Sequence, residues 1–171
     1  MGSRLQVHQV TMKISRNLKA FLDTIAVSEL GVDLLHVSDD GYDVIVGSTA
    51  FKPILMKSYQ DHPRKLISLT IKGKVVKSTA AGRYQVLARY FDHYQRSLGL
   101  PDFGPESQDA IAIQLIRECG ALDEIERGEI SKALSLCRSR WASLPGAGYG
   151  QHENSEKHLL AAYARAGGTL V

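Results

Sequence analysis

"AFLDTIAVSEL", residues 20–30, places an acid at the end of a greasy helical face. Leu18, Phe21, Leu22 and Ile25 recur at the i, i+3, i+4, i+7 spacing of one apolar stripe. Glu29 follows Leu18 by eleven residues, and eleven steps of about 100° return it to nearly the same azimuth. Its carboxylate is therefore directed toward the core. Desolvation penalises the charged form, so a buried glutamate keeps its proton to higher pH, as a general acid must at neutrality. The alternative is a helix that has already ended, with Glu29 capping the next turn or facing water. Gly31, two residues on, suits such an ending.

The chain has 171 residues, 44% of them hydrophobic, which suits one globular domain with a substantial core. A formal charge of +3 is dispersed over "HPRK", "KGKVVK" and "RSR". That mild balance fits an anionic polymer and argues against nucleic acid as partner. Cys119 and Cys137 lie far apart in predicted helices, have no metal-type spacing and read as buried free thiols without the surroundings of a nucleophile, with a disulfide as the unsupported alternative. No apolar run reaches membrane-spanning length, and "MGSRLQVHQVTMKIS" lacks the apolar core of a signal peptide. Residues 1–14 read as a loosely attached extension, added in part for expression or lying before an alternative start at Met12.

From Val32 to Ser78 the texture is turns and short β-rich runs, with strands expected at Tyr42–Val46, Leu66–Leu69 and Lys74–Lys77. From Gly82 onward the pattern is helical. Tyr84, Leu87, Phe91, Tyr94 and Leu98 form one stripe, and Pro105 opens "PESQDAIAIQLIREC". "DEIER" reads as a turn before a helix presenting Ile130, Ala133, Leu134, Cys137 and Trp141, and Asn154 as the cap of a last helix. The expected fold is α+β, a mainly helical body with a small β-containing lobe and a cleft between them.

Three further segments carry candidate binding residues. In "GYDVIVG" these are Tyr42 and Asp43, although an ordinary hairpin explains the same residues. In "STAAGRYQ", Ser78 opens a run of small residues that lets the backbone approach a ligand, Arg83 and Gln85 offer hydrogen bonds suited to sugar hydroxyls and amides, and Tyr84 serves either the site or the core. In "WASLPGAGYGQ", Trp141 reads as core, while Tyr149, flanked by glycines, is placed to face a ligand or Glu29. No HExxH pair, GxSxG elbow or Walker loop is present, which argues against a zinc amidase or a serine hydrolase.

Taken in order, "AFLDTIAVSE", "GYDVIVG", "DHPRKL", "STAAGRYQ", "SQDAIAIQLI", "RGEI" and "WASLPGAGYGQ" resemble the lambda-type phage endolysins from about Leu18 to Gly168. The resemblance implies a lysozyme-like domain over residues 15–171 and a lytic transglycosylase. Such an enzyme cuts peptidoglycan between N-acetylmuramic acid and N-acetylglucosamine and leaves a 1,6-anhydro end. It maps the catalytic glutamate onto Glu29. It further implies no cofactor or metal, peptidoglycan strands as partner, no stable membrane insertion and a monomer. The implied route is host cytoplasm until a holin releases the enzyme, then the periplasm. Two departures stand out: Ala80 replaces a glycine of the "STGAGRYQ" form, and "VSELGVDLLHVSDD" replaces a more polar loop. A hydrolytic lysozyme needs a second carboxylate, which the T4 type places nine residues after its glutamate. Here that position is Ser38, with Asp39, Asp40 and Asp43 close by. A transglycosylase needs none, because the muramic acid C6 hydroxyl attacks within its own sugar. The competing expectations are a hydrolytic muramidase on the same fold and a non-catalytic glycan-binding module.

Overall fold

The computed structural model describes residues 13–150 and 152–171. The extension expected at residues 1–14 lies largely outside them. The first helix, α1 (Arg16–Leu30), starts where Ser15 accepts a hydrogen bond from the Leu18 N–H, and it stops at Gly31. Leu18, Phe21, Leu22 and Ile25 are all at most 5% exposed, so the predicted stripe is the buried face. Each such side chain contributes about 2 kcal/mol on leaving water. Its main partner is the last helix, α7 (Glu156–Arg165), whose Leu159 and Tyr163 are fully buried.

Past Gly31 the chain forms a second short helix, α2 (Val32–His36), where β-rich texture was expected. Leu34 and Leu35 bury against the body, and Asp33 and His36 sit at the ends that the helix dipole favours. The only ladder among the described residues is the hairpin of β1 (Ile67–Ile71) and β2 (Lys74–Ser78), antiparallel with Leu69 opposite Val76. The expected strand at Tyr42–Val46 is reduced to isolated bridges, Val44 to Leu55 and Ile45 to Ala81. Its neighbours are turns, so the pairing cannot propagate.

The helix expected from Gly82 begins only at Ala88, as α3 (Ala88–Leu98). Residues 82–85 form a tight turn instead, bridged by Ala81 and Val86, with Gly82 at φ 78° and Gln85 at φ 51°. A Cβ on Gly82 would collide with the Gln108 carboxamide, so this position needs glycine on two counts. Tyr84 and Leu87 accordingly leave the predicted stripe, while Phe91 and Tyr94 remain buried. The helix α4 (Pro105–Glu118) starts with proline as read from the sequence. "DEIER" is part of a helix, α5 (Leu122–Arg127), because Ile125 buries and opposite charges flank the two ends. Next, α6 (Ile130–Cys137) ends before Trp141, which is nevertheless buried. Ser155, not Asn154, caps α7.

Cys119 follows the last turn of α4 and Cys137 closes α6. Both are free thiols, Cys137 buried and Cys119 partly so.

Candidate active site

The last turn of α1 carries Glu29 into a cleft of about 380 Å³. The hairpin supplies one wall through Leu69, Val76, Lys77 and Ser78. Tyr84, Gln85 and Val86 of the tight turn continue the lining, and Ser139, Arg140 and Trp141 supply the opposite side. Trp141 is anchored by its indole N–H on the Tyr84 carbonyl at 3.1 Å.

Glu29 is held by hydroxyls. Ser143 Oγ donates to Glu29 Oε1 at 2.5 Å and lies 2.8 Å from Ser28 Oγ. The Asn154 side-chain amide donates to the Ser28 carbonyl at 2.9 Å and to Ser28 Oγ at 3.1 Å, and the Asn154 N–H donates to the Ser143 carbonyl at 2.8 Å. This chain fixes the carboxyl without bringing any cation to it. Desolvation raises the Glu29 pKa from 4.5 to about 7, against the opposing side-chain and backbone hydrogen bonds of Ser143. A carboxyl poised near neutrality can give a proton and then retake it. Of the two sequence alternatives, the helix persists through Glu29 and the carboxylate faces the cleft.

Sequence reasoning missed Ser143 and the real duty of Asn154. Ser143 stood within the singled-out "WASLPGAGYGQ", but its hydroxyl is unremarkable until the fold brings it to α1. The glycines of that loop have a local cause. Gly146 and Gly148, both at positive φ, aim their N–H groups at the Glu153 carboxylate, at 2.9 and 2.8 Å.

The other candidate residues divide. Ser78, Tyr84 and Gln85 line the cleft with Glu29. Gln85 donates to the Gly82 carbonyl at 2.9 Å, which holds its amide against the turn. Tyr84 is both lining and core, 2% exposed, and its hydroxyl donates to Asp109 at 2.6 Å. Tyr42 donates to the same carboxylate at 2.9 Å, away from the cleft lining. Burial first, and then Asp109, keep both phenols protonated far above neutrality. Arg83 is not free to hold sugar. It is 3% exposed and bridges Asp23 of α1 at 2.6 Å and Asp40 at 2.7 Å, with Tyr42 against its guanidinium. Asp43 accepts the Asp39 N–H at 3.0 Å and so shapes the turn after α2. Tyr149 is exposed, its hydroxyl directed to the Ser139 carbonyl at 3.4 Å rather than to Glu29.

No second carboxylate lines the cleft among the described residues. Asp39 takes the Tyr59 hydroxyl at 2.5 Å and Asp40 is engaged by Arg83. Among the described residues no group of His, Cys, Asp and Glu could hold a metal ion, and no helix is long and apolar enough to cross a membrane.

The chain as a whole has close relatives. Residues 19–170 match the family model described as Endolysin. The chain is 50% identical to the endolysin of Escherichia phage lambda over 161 residues, 93% of this chain and 96% of that one. It is also 50% identical to the endolysin of Escherichia phage P2, over 90% of this chain and 94% of that one. Among solved structures, bacteriophage lambda lysozyme complexed with a chitohexasaccharide superposes with a TM-score of 0.84, covering 93% of this chain and 99% of that one. A second structure of lambda lysozyme gives 0.80 with the same coverage. With half of its residues shared over nearly its whole length, and the same fold, the chain belongs to the endolysin family.

Proposed function

We propose that this protein is a lytic transglycosylase that degrades bacterial peptidoglycan for host lysis. It would cut the β-1,4 bond between N-acetylmuramic acid and N-acetylglucosamine with Glu29 as its one catalytic acid and base. The observation that carries the reading is a single carboxyl, shifted to about pH 7 by desolvation, in a cleft with no second carboxylate lining it. The oligosaccharide bound by the related lambda lysozyme supports a glycan as the occupant of the same groove.

In the first step the protonated Glu29 donates to the leaving O4 of the glycosidic bond, and positive charge develops at C1 of the muramic acid. In the second, the Glu29 carboxylate takes the proton of that sugar's C6 hydroxyl, whose oxygen attacks C1 and closes the 1,6-anhydro ring. An attacking group on the same sugar has a high effective concentration, so no residue has to position water. Ser143 holds Oε1 of Glu29 in place through both transfers. Ser78, Gln85 and the Tyr84 ring contact the sugars from the cleft lining. Tyr42, Asp43 and Arg83 act on the site through the turns they hold.

The proposal includes a monomer that accumulates in the host cytoplasm and reaches the wall when a holin opens the membrane. Muropeptide mass spectrometry tests the chemistry. Anhydro ends, one water lighter and resistant to borohydride, are expected; reducing muramic ends would assign a hydrolase. Expression with and without a co-produced holin tests the route, and lysis without the holin would remove that part.

A further inference from the structure

The basic residues are unevenly placed along the chain. Residues 44–80 hold six lysines and Arg64 against one acid, Asp61. That is a formal +6 where the whole chain is +3, so the remainder is net negative. Asp61 is already bonded to Arg64, at 3.0 Å. The lysines of this stretch make no salt bridge or side-chain hydrogen bond with a described residue. Three of them belong to the hairpin, and all three are exposed. Lys72 and Gly73 form its two-residue turn, both at positive φ, which sets Lys72 at the tip. Lys74 stands opposite Ile71. Directly opposed residues share a face of the sheet, so Lys74 is on the side that Ile71, Leu69 and Val76 turn to the cleft. Lys77 is itself part of the lining. Lys72 acts on Glu153 without pairing to it, since that carboxylate takes the Gly146 and Gly148 N–H groups. Among the described residues the lining holds no acid besides Glu29.

We propose that this basic hairpin rim binds the carboxylates of the peptide stems that branch from the muramic acid, and so makes the enzyme selective for stem-bearing strands over bare glycan. The inference rests on the proposed function, because it takes a peptidoglycan strand as the occupant of the cleft. A stem that leaves the groove over the hairpin wall meets Lys74 and then Lys72. Each exposed ion pair contributes little, but several act together on one acidic peptide, and they weaken as salt screens them. An anionic membrane would be drawn to the same charge. The register that turns Lys74 to the cleft side, and the place of Lys77 in the lining, favour a ligand continuous with what the cleft holds.

The closing experiment compares cleavage by the full chain of uncross-linked peptidoglycan strands with their stems and of the same strands stripped of stems by an amidase. Wild type is expected to prefer the stem-bearing strands, and the preference should shrink as salt is raised. The double variant Lys72→Gln, Lys74→Gln, with unchanged circular dichroism, should raise KM on stem-bearing strands about threefold to tenfold, leave kcat alone and lose most of the salt dependence. Its KM on stripped strands should match that of wild type. Lys72→Arg with Lys74→Arg should restore the preference, and amidating the stem carboxylates should abolish it in wild type. An unchanged KM in the Gln variant, or an equal rise on both kinds of strand, would overturn the proposal. So would a Gln variant that loses only its co-sedimentation with phosphatidylglycerol vesicles, which would assign the rim to a membrane. Wild type cleaving both strands equally overturns this inference alone, whereas cleavage of neither would overturn the proposed function with it.

Discussion

Two acids on the same helix, Asp23 and Glu29, meet opposite surroundings. Asp23 lies between cations, with Lys19 at 3.2 Å and the buried Arg83 at 2.6 Å. Glu29, near the end of α1, is given the Ser143 hydroxyl, and among the described residues no cation reaches it. The first arrangement ties α1 to the turn at residues 82–85 and, through Arg83, to Asp40 beyond α2. The second keeps a proton available at neutral pH. Burial without a compensating cation, and not the acid or its helix, separates a carboxyl that does chemistry from one that braces the fold.

Glu29→Gln should produce the largest effect. The amide preserves shape but cannot transfer the proton, so clearing of exposed cell walls should slow by about 10²–10⁴-fold, with circular dichroism unchanged. The same variant tests the electrostatics. In the folded state Glu29 holds its proton up to about pH 7, whereas the unfolded chain releases it near 4.5. Between those values the unfolded state binds fewer protons, so the wild type loses stability as pH rises, and the loss is complete above the folded value. Glu29→Gln should therefore be more stable than wild type above neutrality, by up to about 3 kcal/mol, and this advantage should vanish in acid. Denaturant unfolding at two pH values checks this. A variant no more stable than wild type at alkaline pH would break the contrast with Asp23.

Arg83→Met comes next. It leaves Asp23 and Asp40 without their shared cation, and urea unfolding should show a loss of about 2–3 kcal/mol. That is below the cost of breaking a fully buried pair, because Asp40 is 66% exposed. Any activity lost should recover in proportion to the folded fraction. Loss of activity in a fully folded Arg83→Met would instead make Arg83 part of the catalytic apparatus.

Ser143→Ala removes a hydrogen bond that favours the ionised form, so the Glu29 pKa should rise further. Wild-type activity is expected to decline as pH climbs through about 7, where the acid loses its proton. In Ser143→Ala that decline should move to higher pH while the plateau rate falls about tenfold, as expected for one lost charge-assisted contact. A pH–rate profile reads both. A second decline on the acid side, near ordinary carboxylate values, would point to a further carboxylate and the hydrolytic route. Asn154→Ala should be mildest, a loss of about 1 kcal/mol and a few-fold in rate, because it acts on Glu29 only through Ser28 and Ser143.

The sequence made some of these contacts legible and hid others for a consistent reason. Periodicity reports which face of a helix is apolar, and α1 follows it residue by residue. It does not report what comes from elsewhere to meet that face. Arg83 and Gln85 look alike as polar residues in "STAAGRYQ", yet one is sealed behind Tyr42 and the other lines the cleft. The helix expected from Gly82 failed because the close approach of Gln108 and the positive φ at Gln85 impose a turn that no apolar stripe signals. Asn154, one residue before the true cap, was read from its local role because its partner Ser28 lies 126 residues away.

By itself the sequence determined the helical body, the hairpin, the acid at the end of α1 and the family resemblance, since these depend on local spacing and on residues read in order. Tertiary structure alone decided that Glu29 meets a hydroxyl and no cation, that Arg83 serves the fold, and that Asn154 holds Ser28 and Ser143. Each of those outcomes depends on side chains far apart in the chain, and electrostatic energy is fixed by distance and burial, which sequence order does not encode.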